Sequence, residues 1–287
     1  MTRGARRRLD TELVRRGLIS SRPEARAAIA AGQVIVAGSP ADKAARLVAP
    51  DEAIVVLGPP ARFVSRGGEK LDAALRTFNV GVDGRRVLDA GASTGGFTDC
   101  LLQRGARHVY AVDVGHGQLD QRLRHDPRVT VLERLNARTL TAAVVRERDP
   151  AFEPCQLVTA DLSFISLTTV APALCGSIGT DDADLVLLVK PQFEAGRPAV
   201  SKGRGVVRDP AVWHSSLAKV TSALQAAGTG IMGAMVSPLT GPAGNVEFLL
   251  HTRKATPGLG VAAVGRLLTE LTEEAAGPPD AAASAAD

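Results

Sequence analysis

Apolar residues recur along the chain in two rhythms. Between residues 9 and 31 the spacing is helical: Leu9, Leu13, Val14 and Leu18 form one stripe, and Ala25, Ala28 and Ile29 a second. Gly17 closes the first stripe, and Ser20 or Ser21 is placed to cap the second helix, with Pro23 in its first turn. Two short strand-like runs follow, Val34-Ile35-Val36 and Ile54-Val55-Val56-Leu57, joined by a polar loop containing Gly and Pro. The pattern predicts an α–α–β–β module over residues 1–58, with Gly58-Pro59-Pro60 opening a linker over 59–64.

The second rhythm begins at Ser65. A helix is predicted to about Phe78, with Leu71, Ala74, Leu75 and Phe78 on one face. Strand, glycine-rich turn and helix then alternate. Candidate strands are Arg86–Ala90, His108–Val112, Val129–Leu132, Leu157–Ala160, Leu185–Lys190, Ile231–Val236 and Val246–Thr252. Helical stretches between most of them predict an α/β domain over 65–255 with a seven-stranded, mostly parallel, doubly wound sheet. Only Ser237 to Asn245 separate the last two strands, which suits an antiparallel hairpin and is too short for a parallel crossover. Residues 256–287 read as a C-terminal helix and a disordered Ala/Pro-rich tail.

With 287 residues, 45% of them hydrophobic, the chain has length for about two domains and enough apolar mass for a core, which excludes global disorder. No apolar run approaches the ~18 residues of a membrane span. The Arg-rich start lacks the apolar stretch of a secretory signal, so a cytoplasmic location is expected. Cys100, Cys155 and Cys175 have no CxxC spacing, which excludes a disulfide scaffold and gives no sign of a zinc site; no metal is expected. Charge changes the picture more. The net +4 divides into +6 over residues 1–70 (13 Lys/Arg against 7 Asp/Glu) and −2 over residues 71–287 (21 against 23). A basic end on a balanced body is the asymmetry of a nucleic-acid-binding appendage.

Asp89-Ala-Gly-Ala-Ser-Thr-Gly-Gly-Phe97 ends the first strand of the larger domain and opens a helix. Glycine there allows a sharp turn and close approach of a ligand. Ser93 replaces the second glycine of the dehydrogenase fingerprint, and the Gly-Lys-Ser/Thr of a P-loop is missing. The acid before the first glycine instead resembles the methionine-end pocket of S-adenosylmethionine enzymes. Asp89 would lie near the ligand's amino group, directly or through water, and Asp113 at the next strand end would bind the ribose hydroxyls. Lys70, Asp161, Lys190 and Glu247 are spread widely, but Asp161 and Lys190 end apolar strands at the carboxyl edge, where such sheets bind ligands. A strand-end lysine often does no more than reach water; its conjunction with Asp161 makes a site the better reading.

These segments, with Ser65-Arg-Gly-Gly-Glu-Lys-Leu71, Val189-Lys190-Pro-Gln-Phe-Glu194 and Gly244-Asn-Val-Glu247, resemble the TlyA family of rRNA 2′-O-methyltransferases. The front module, through Leu9 to Leu18, Ser21-Arg22 and Gly32 to Gly38, resembles the alpha-L RNA-binding domain. The resemblance implies a Rossmann-like class I methyltransferase fold of the FtsJ type, and S-adenosylmethionine as cofactor. It also implies a catalytic tetrad of Lys70, Asp161, Lys190 and Glu247, with Asp89, Gly91, Ser93, Gly95, Asp113, Asn136 and Asp161 around the cofactor. The implied substrate is a cytidine ribose in 16S rRNA, 23S rRNA or both, within 30S subunits, 50S subunits or both.

Arg6, Arg8, Arg22, Arg26 and Lys43 are the RNA-binding candidates of the front module, since the arginine fork suits phosphate. Aromatic residues make up 3% of the chain and none precedes Phe63, which disfavours stacking on unpaired bases and favours shape recognition of folded RNA. Pro154-Cys155-Gln156 imitates a cytosine C5-methyltransferase nucleophile but precedes its strand, so Cys155 is read as a small buried residue. His116, His214 and His251 are read as isolated. A non-catalytic RNA-binding assembly factor, a haemolysin-like membrane-active protein and a dehydrogenase are the weaker alternatives.

Overall fold

The computed structural model describes residues 6–19, 21–57, 62–196 and 205–277. The chain divides into two compact units, Met1–Arg62 and Phe63–Asp287. The linker residues Gly58 to Ala61, Ser20 and the tail beyond Gly277 lie outside the described residues.

In the first unit, helices α1 (Leu9–Arg15) and α2 (Arg22–Ala30) are followed by a three-stranded antiparallel sheet. Its order is β3 (Ser39–Pro40), β2 (Val34–Val36) and β5 (Ile54–Val56). A second pair, β1 (Arg7–Arg8) with β4 (Leu47–Val48), closes the other side. The two-residue strands β1, β3 and β4 are additions to the predicted α–α–β–β order; runs that short carry no hydrophobic rhythm. Ser21 caps α2 by accepting from the Glu24 N–H at 3.4 Å, and Leu9, Leu13, Ala25, Ile29, Val34 and Val36 fill the core.

Asp10 is fully buried and is approached by three arginines: Arg8 at 3.0 Å, Arg22 at 3.1 Å and Arg26 at 3.3 Å. The hydrogen bonds from Arg8, with those from Arg22 and Arg26, hold its carboxyl far below the usual carboxylate range against the opposing effect of burial. Glu12 is held down to about 2 in the same way by Arg15 and Arg16.

In the second unit, strands β6 (Arg86–Ala90), β7 (His108–Asp113), β8 (Val129–Glu133), β9 (Cys155–Ala160), β10 (Gly179–Val189), β11 (Thr229–Val236) and β12 (Phe248–Lys254) form one sheet. The order is β11-β12-β10-β9-β6-β7-β8, parallel from β10 to β8, with β12 antiparallel to both β10 and β11. The predicted hairpin is therefore present. Helices α3 (Gly67–Thr77), α4 (Gly96–Gln103) and α5 (Gln121–Arg124) cover one face. The other face carries α6 (Ala142–Arg146), α7 (Leu167–Leu174), α9 (Pro210–Ala226) and α10 (Val261–Ala276), while the short α8 (Pro191–Glu194) follows β10. Alternate residues of one strand enter opposite cores: Val109 and Ala111 one, Tyr110 and Val112 the other. Burial on both sides explains the continuous apolar runs in the sequence.

Only β6 keeps its expected bounds. β7 and β8 run one residue further, β11 starts two residues earlier, and β9 starts at Cys155, so Cys155 is the first residue of its strand rather than preceding it. β10 starts at Gly179 because polar Thr180 to Asp182 bridge an irregularity in its pairing with β9. β12 starts at Phe248 because Asn245, Val246 and Glu247 belong to the preceding loop. Among the described residues no helix is long and apolar enough to cross a membrane.

Asp10→Asn leaves three arginines without their shared anion and should destabilise the first unit by about 1–3 kcal/mol. Both depressed carboxyls confer stability above their ordinary values that is lost as pH falls through the folded ones. Acid titration of the intact protein should therefore loosen this unit below about pH 4. Amide exchange in α1 and α2 reads both effects, and unchanged protection in the variant or at low pH would contradict them.

Candidate active site

The glycine turn after β6 is shaped by what lies against it. Gly91 has φ +83°, donates its N–H to the Val112 carbonyl at 2.8 Å, and a Cβ there would come within 2.5 Å of the Asp161 carbonyl oxygen. Only glycine fits. Ser93 also has positive φ (+49°) and donates its N–H to Asp113 Oδ2 at 2.8 Å; Asp113 Oδ1 accepts from the Gly115 N–H at 2.7 Å. Asn136 caps the single 3₁₀ turn Ala137–Thr139, its Oδ1 accepting from the Arg138 N–H at 3.0 Å.

Two cavities open at this carboxyl edge. One, of about 570 Å³, is lined by Gly91, Ser93, Asp113, Asn136 and Asp161, with Leu162 and Ile165 as apolar wall. The other, of about 500 Å³, is lined by Lys70, Asp161, Lys190 and Glu247, with Ser65 and Thr240 at its rim. Gly91, Ser93, Asp161 and Ser163 line both, so the chambers meet at Asp161. The four widely spaced residues predicted to act together thus share one chamber.

They form two ion pairs. Lys190 Nζ lies 2.5 Å from Asp161 Oδ1 and donates to Ser163 Oγ at 3.0 Å. Lys70, at the start of α3, pairs with Glu247 deep in the fold, where the two side chains are 8% and 1% exposed. Glu247 is steered from its own loop. Its carbonyl accepts the Ser237 N–H at 2.9 Å, and a Cβ at Gly241 would come within 2.6 Å of Oε1.

Three supporting residues carry no role in the sequence reading. Buried Asn245 accepts the Val207 N–H (2.9 Å) and donates to the Gly205 carbonyl (3.0 Å), tying two loops together beside Glu247. Glu194 accepts from Ser166 Oγ (2.5 Å) and the Leu167 N–H (2.8 Å), joining the segment after Lys190 to the start of α7; burial pushes its carboxyl up. Phe164 is 91% exposed at φ +63°, with its ring 5.1 Å from that of Phe193 at the mouth of the first cavity. The signal for Glu194 and Asn245 was their place within the quoted motifs, and for Phe164 its place three residues after Asp161; their partners are far away in sequence.

Other candidates are placed differently. Asp89 lines neither cavity. It is wholly buried beneath α4, accepting from Thr98 Oγ1 at 2.7 Å and Thr159 Oγ1 at 3.2 Å, so it braces the turn from below. Gly95 lines neither; at φ +99° it caps α4, and a Cβ would meet Leu123 Cδ1 at 2.2 Å, so its lack of a side chain serves packing. Cys155 starts β9 at the opposite edge, buried, its thiol pushed up to about 12 by desolvation. His116 and His251 are not isolated: His116 pairs with Glu133 at 2.5 Å and His251 with Asp184 at 2.9 Å. Among the described residues no cluster of ligands could hold a metal ion.

Burial raises the Asp89 carboxyl to about 7 despite its threonine partners. The native state therefore favours the protonated form. The stability this confers is complete below about pH 4 and is lost as pH rises through 7. Asp89→Asn removes the dependence, so denaturant titrations of variant and parent should shift in the variant's favour between about pH 5 and pH 8. A pH-independent difference would show that the carboxyl is ionised throughout.

Comparison with known proteins agrees with this fold. Residues 63–254 match the FtsJ-like methyltransferase model and residues 7–54 the S4 domain. A Mycobacterium tuberculosis (strain H37Rv) protein named 16S/23S rRNA (cytidine-2′-O)-methyltransferase TlyA is 52% identical over 252 residues, covering 88% of this chain and 91% of that one. A Brachyspira hyodysenteriae protein named Hemolysin A is 39% identical over 85% of this chain and 98% of its own. A solved Streptococcus thermophilus structure, also carrying a hemolysin name, superposes with TM-score 0.71 at 37% identity, covering 93% of this chain and 96% of that one. The chain belongs to the FtsJ-like methyltransferase family, in the TlyA branch that joins an S4 domain to the catalytic one.

Proposed function

We propose that this protein methylates the ribose 2′-hydroxyl of cytidine in rRNA, using S-adenosylmethionine. The observation that carries the reading is the pairing of Lys190 with Asp161 and of Lys70 with Glu247 around one chamber that opens, at Asp161, into a second one walled by the glycine turn. The second chamber fits the cofactor chemically. Gly91 lets a ligand approach the backbone, Asp113 and Asn136 offer polar atoms for ribose and base, and Leu162 and Ile165 supply a flat apolar wall.

Bound there, S-adenosylmethionine supplies an electrophilic sulfonium methyl. Asp161, which lines both chambers and holds Lys190, would offer its carboxylate to the positive charge of the bound cofactor. Lys190 would orient the 2′-hydroxyl toward the methyl. In the amine form left once its ammonium proton has passed to solvent, it would take up the hydroxyl proton as the methyl is transferred and the neutral thioether leaves. Lys70 and Glu247 steer the hydroxyl and its neighbours from the far side. Because the leaving sulfide is already activated, these side chains need only position and accept a proton.

Arg6, Arg8, Arg22, Arg26 and Lys43 would hold the RNA by phosphate contacts. Three of them share Asp10, and their side chains remain about half exposed: 45% for Arg8, 50% for Arg22 and 59% for Arg26. Such fixed guanidinium groups suit the backbone shape of folded rRNA, in 16S, 23S or both, within a ribosomal subunit.

Lys190→Ala should lower methyl transfer to rRNA by about 100-fold or more while the cofactor dissociation constant stays within a few-fold, read by tritium transfer and calorimetry. Retained turnover would sink the assignment. Arg26→Ala should weaken rRNA binding and reduce the log–log salt slope by about one, leaving cofactor affinity untouched. A slope unchanged in that variant would remove Arg26 from the contact.

A further inference from the structure

We infer that Glu133 is a positioning residue for the adenosine end of the cofactor chamber, acting through the loop 114–120 upon Asp113. This rests on the reading of the Asp113 chamber as the cofactor site. Glu133 closes β8 and is the register partner of Asp113 at the end of β7. It does not line the chamber itself. Its carboxylate instead gathers the loop that does. Oε1 accepts the Gly117 N–H at 2.8 Å and is held from behind by Arg124 of α5, while Oε2 pairs with His116 Nδ1 at 2.5 Å.

Leu119 packs in the core and Gln118 reaches Ser93, but from Val114 to Gly117 the loop has few other ties. Gly115 and Gly117 lie two residues apart, Gly117 at φ +70°, and Val114 is 71% exposed. Glycine loses more freedom on ordering than any other residue, so an untethered loop here would sample many conformations. Its two ends are tied: the Arg134 N–H donates to the Gly115 carbonyl at 3.1 Å, and the Asp120 N–H to the Thr94 carbonyl at 3.2 Å. Glu133 supplies the tie between them. What it secures is specific. The Gly115 N–H orients Asp113 Oδ1, and Gln118, in the same loop, faces the chamber with its Oε1 3.4 Å from Ser93 Oγ. Without the carboxylate, a bound adenosine would have to order the loop itself, which lowers apparent affinity by the fraction of time the loop is competent.

Calorimetric titration of the full-length protein with S-adenosylmethionine and with S-adenosylhomocysteine tests this, beside rRNA methylation at saturating cofactor. Glu133→Ala should weaken both ligands by the same factor, about tenfold, because they share the adenosine, and kcat should change by less than about twofold. Glu133→Gln, which keeps an oxygen for the Gly117 N–H, should recover most of the affinity. His116→Ala, at an exposed side chain, should weaken both ligands about threefold. Parent-like affinity in Glu133→Ala overturns the inference; should that variant not fold, parent-like affinity in His116→Ala does so. A loss confined to S-adenosylmethionine, or a fall in kcat at saturation, also overturns it, because either puts the effect at the reacting end. Asp113→Ala separates the two levels. If it too binds as the parent does, the assignment of the chamber fails, whereas weakened binding there with intact binding in Glu133→Ala refutes Glu133 alone.

Discussion

The catalytic unit depends on the seam between β6 and β9. The chain runs from β6 outward through β7 to β8, then returns to lay β9 on the other side of β6. At the top of that seam the Asp161 N–H donates to the Ala90 carbonyl at 3.0 Å, and Gly91 lies so close to the Asp161 carbonyl that no side chain fits between them. A sheet whose strand order reverses leaves a crevice at its carboxyl edge. Here the crevice has Asp161 as a shared wall, which is why one carboxylate faces both a cofactor-sized chamber and the lysine that borders the other.

Charge burial follows from that geometry. Lys70 and Glu247 come from elements 177 residues apart and are almost wholly enclosed. Removing either partner from such a pair leaves a costly buried charge, so each fixes the other's place. Lys190 and Asp161 are more open, 11% and 25% exposed. Asp89 takes the remaining solution: a buried carboxyl with two hydroxyl partners and no cation, driven toward its neutral form.

Much of this was legible in the sequence. Seven strands stood out because a sheet buried on both faces writes continuous apolar runs, and Asp161 and Lys190 because a carboxylate and a lysine at the ends of such runs are conspicuous. Lys70 and Glu247 were assigned a role only through the family resemblance. What stayed hidden has one cause. Asp89 before a glycine looks the same whether it faces a ligand or Thr98, since the burial is decided by α4 folding over it. Likewise His116 looked solitary because Glu133 stands 17 residues on, and Asn245 looked like motif filler because Val207 lies 38 residues back. Pairings across the fold leave no spacing to read. The glycines were legible as a turn, but not that Gly91 answers to the Asp161 backbone and Gly95 to Leu123.

The basic excess of the front module also has a structural meaning that a charge count lacks. Its described arginines do not each have their own counter-ion. Arg8, Arg22 and Arg26 share Asp10, and Arg15 and Arg16 share Glu12, so the net positive charge arises from anions divided among several cations. A lone exposed arginine must lose rotamer freedom to grip a phosphate. An arginine already hydrogen-bonded to a buried carboxylate has lost much of it beforehand, while keeping part of its donor fork outward. The anions therefore convert a flexible positive surface into one with a fixed pattern of donors, which is the property needed to recognise an RNA by the layout of its phosphates.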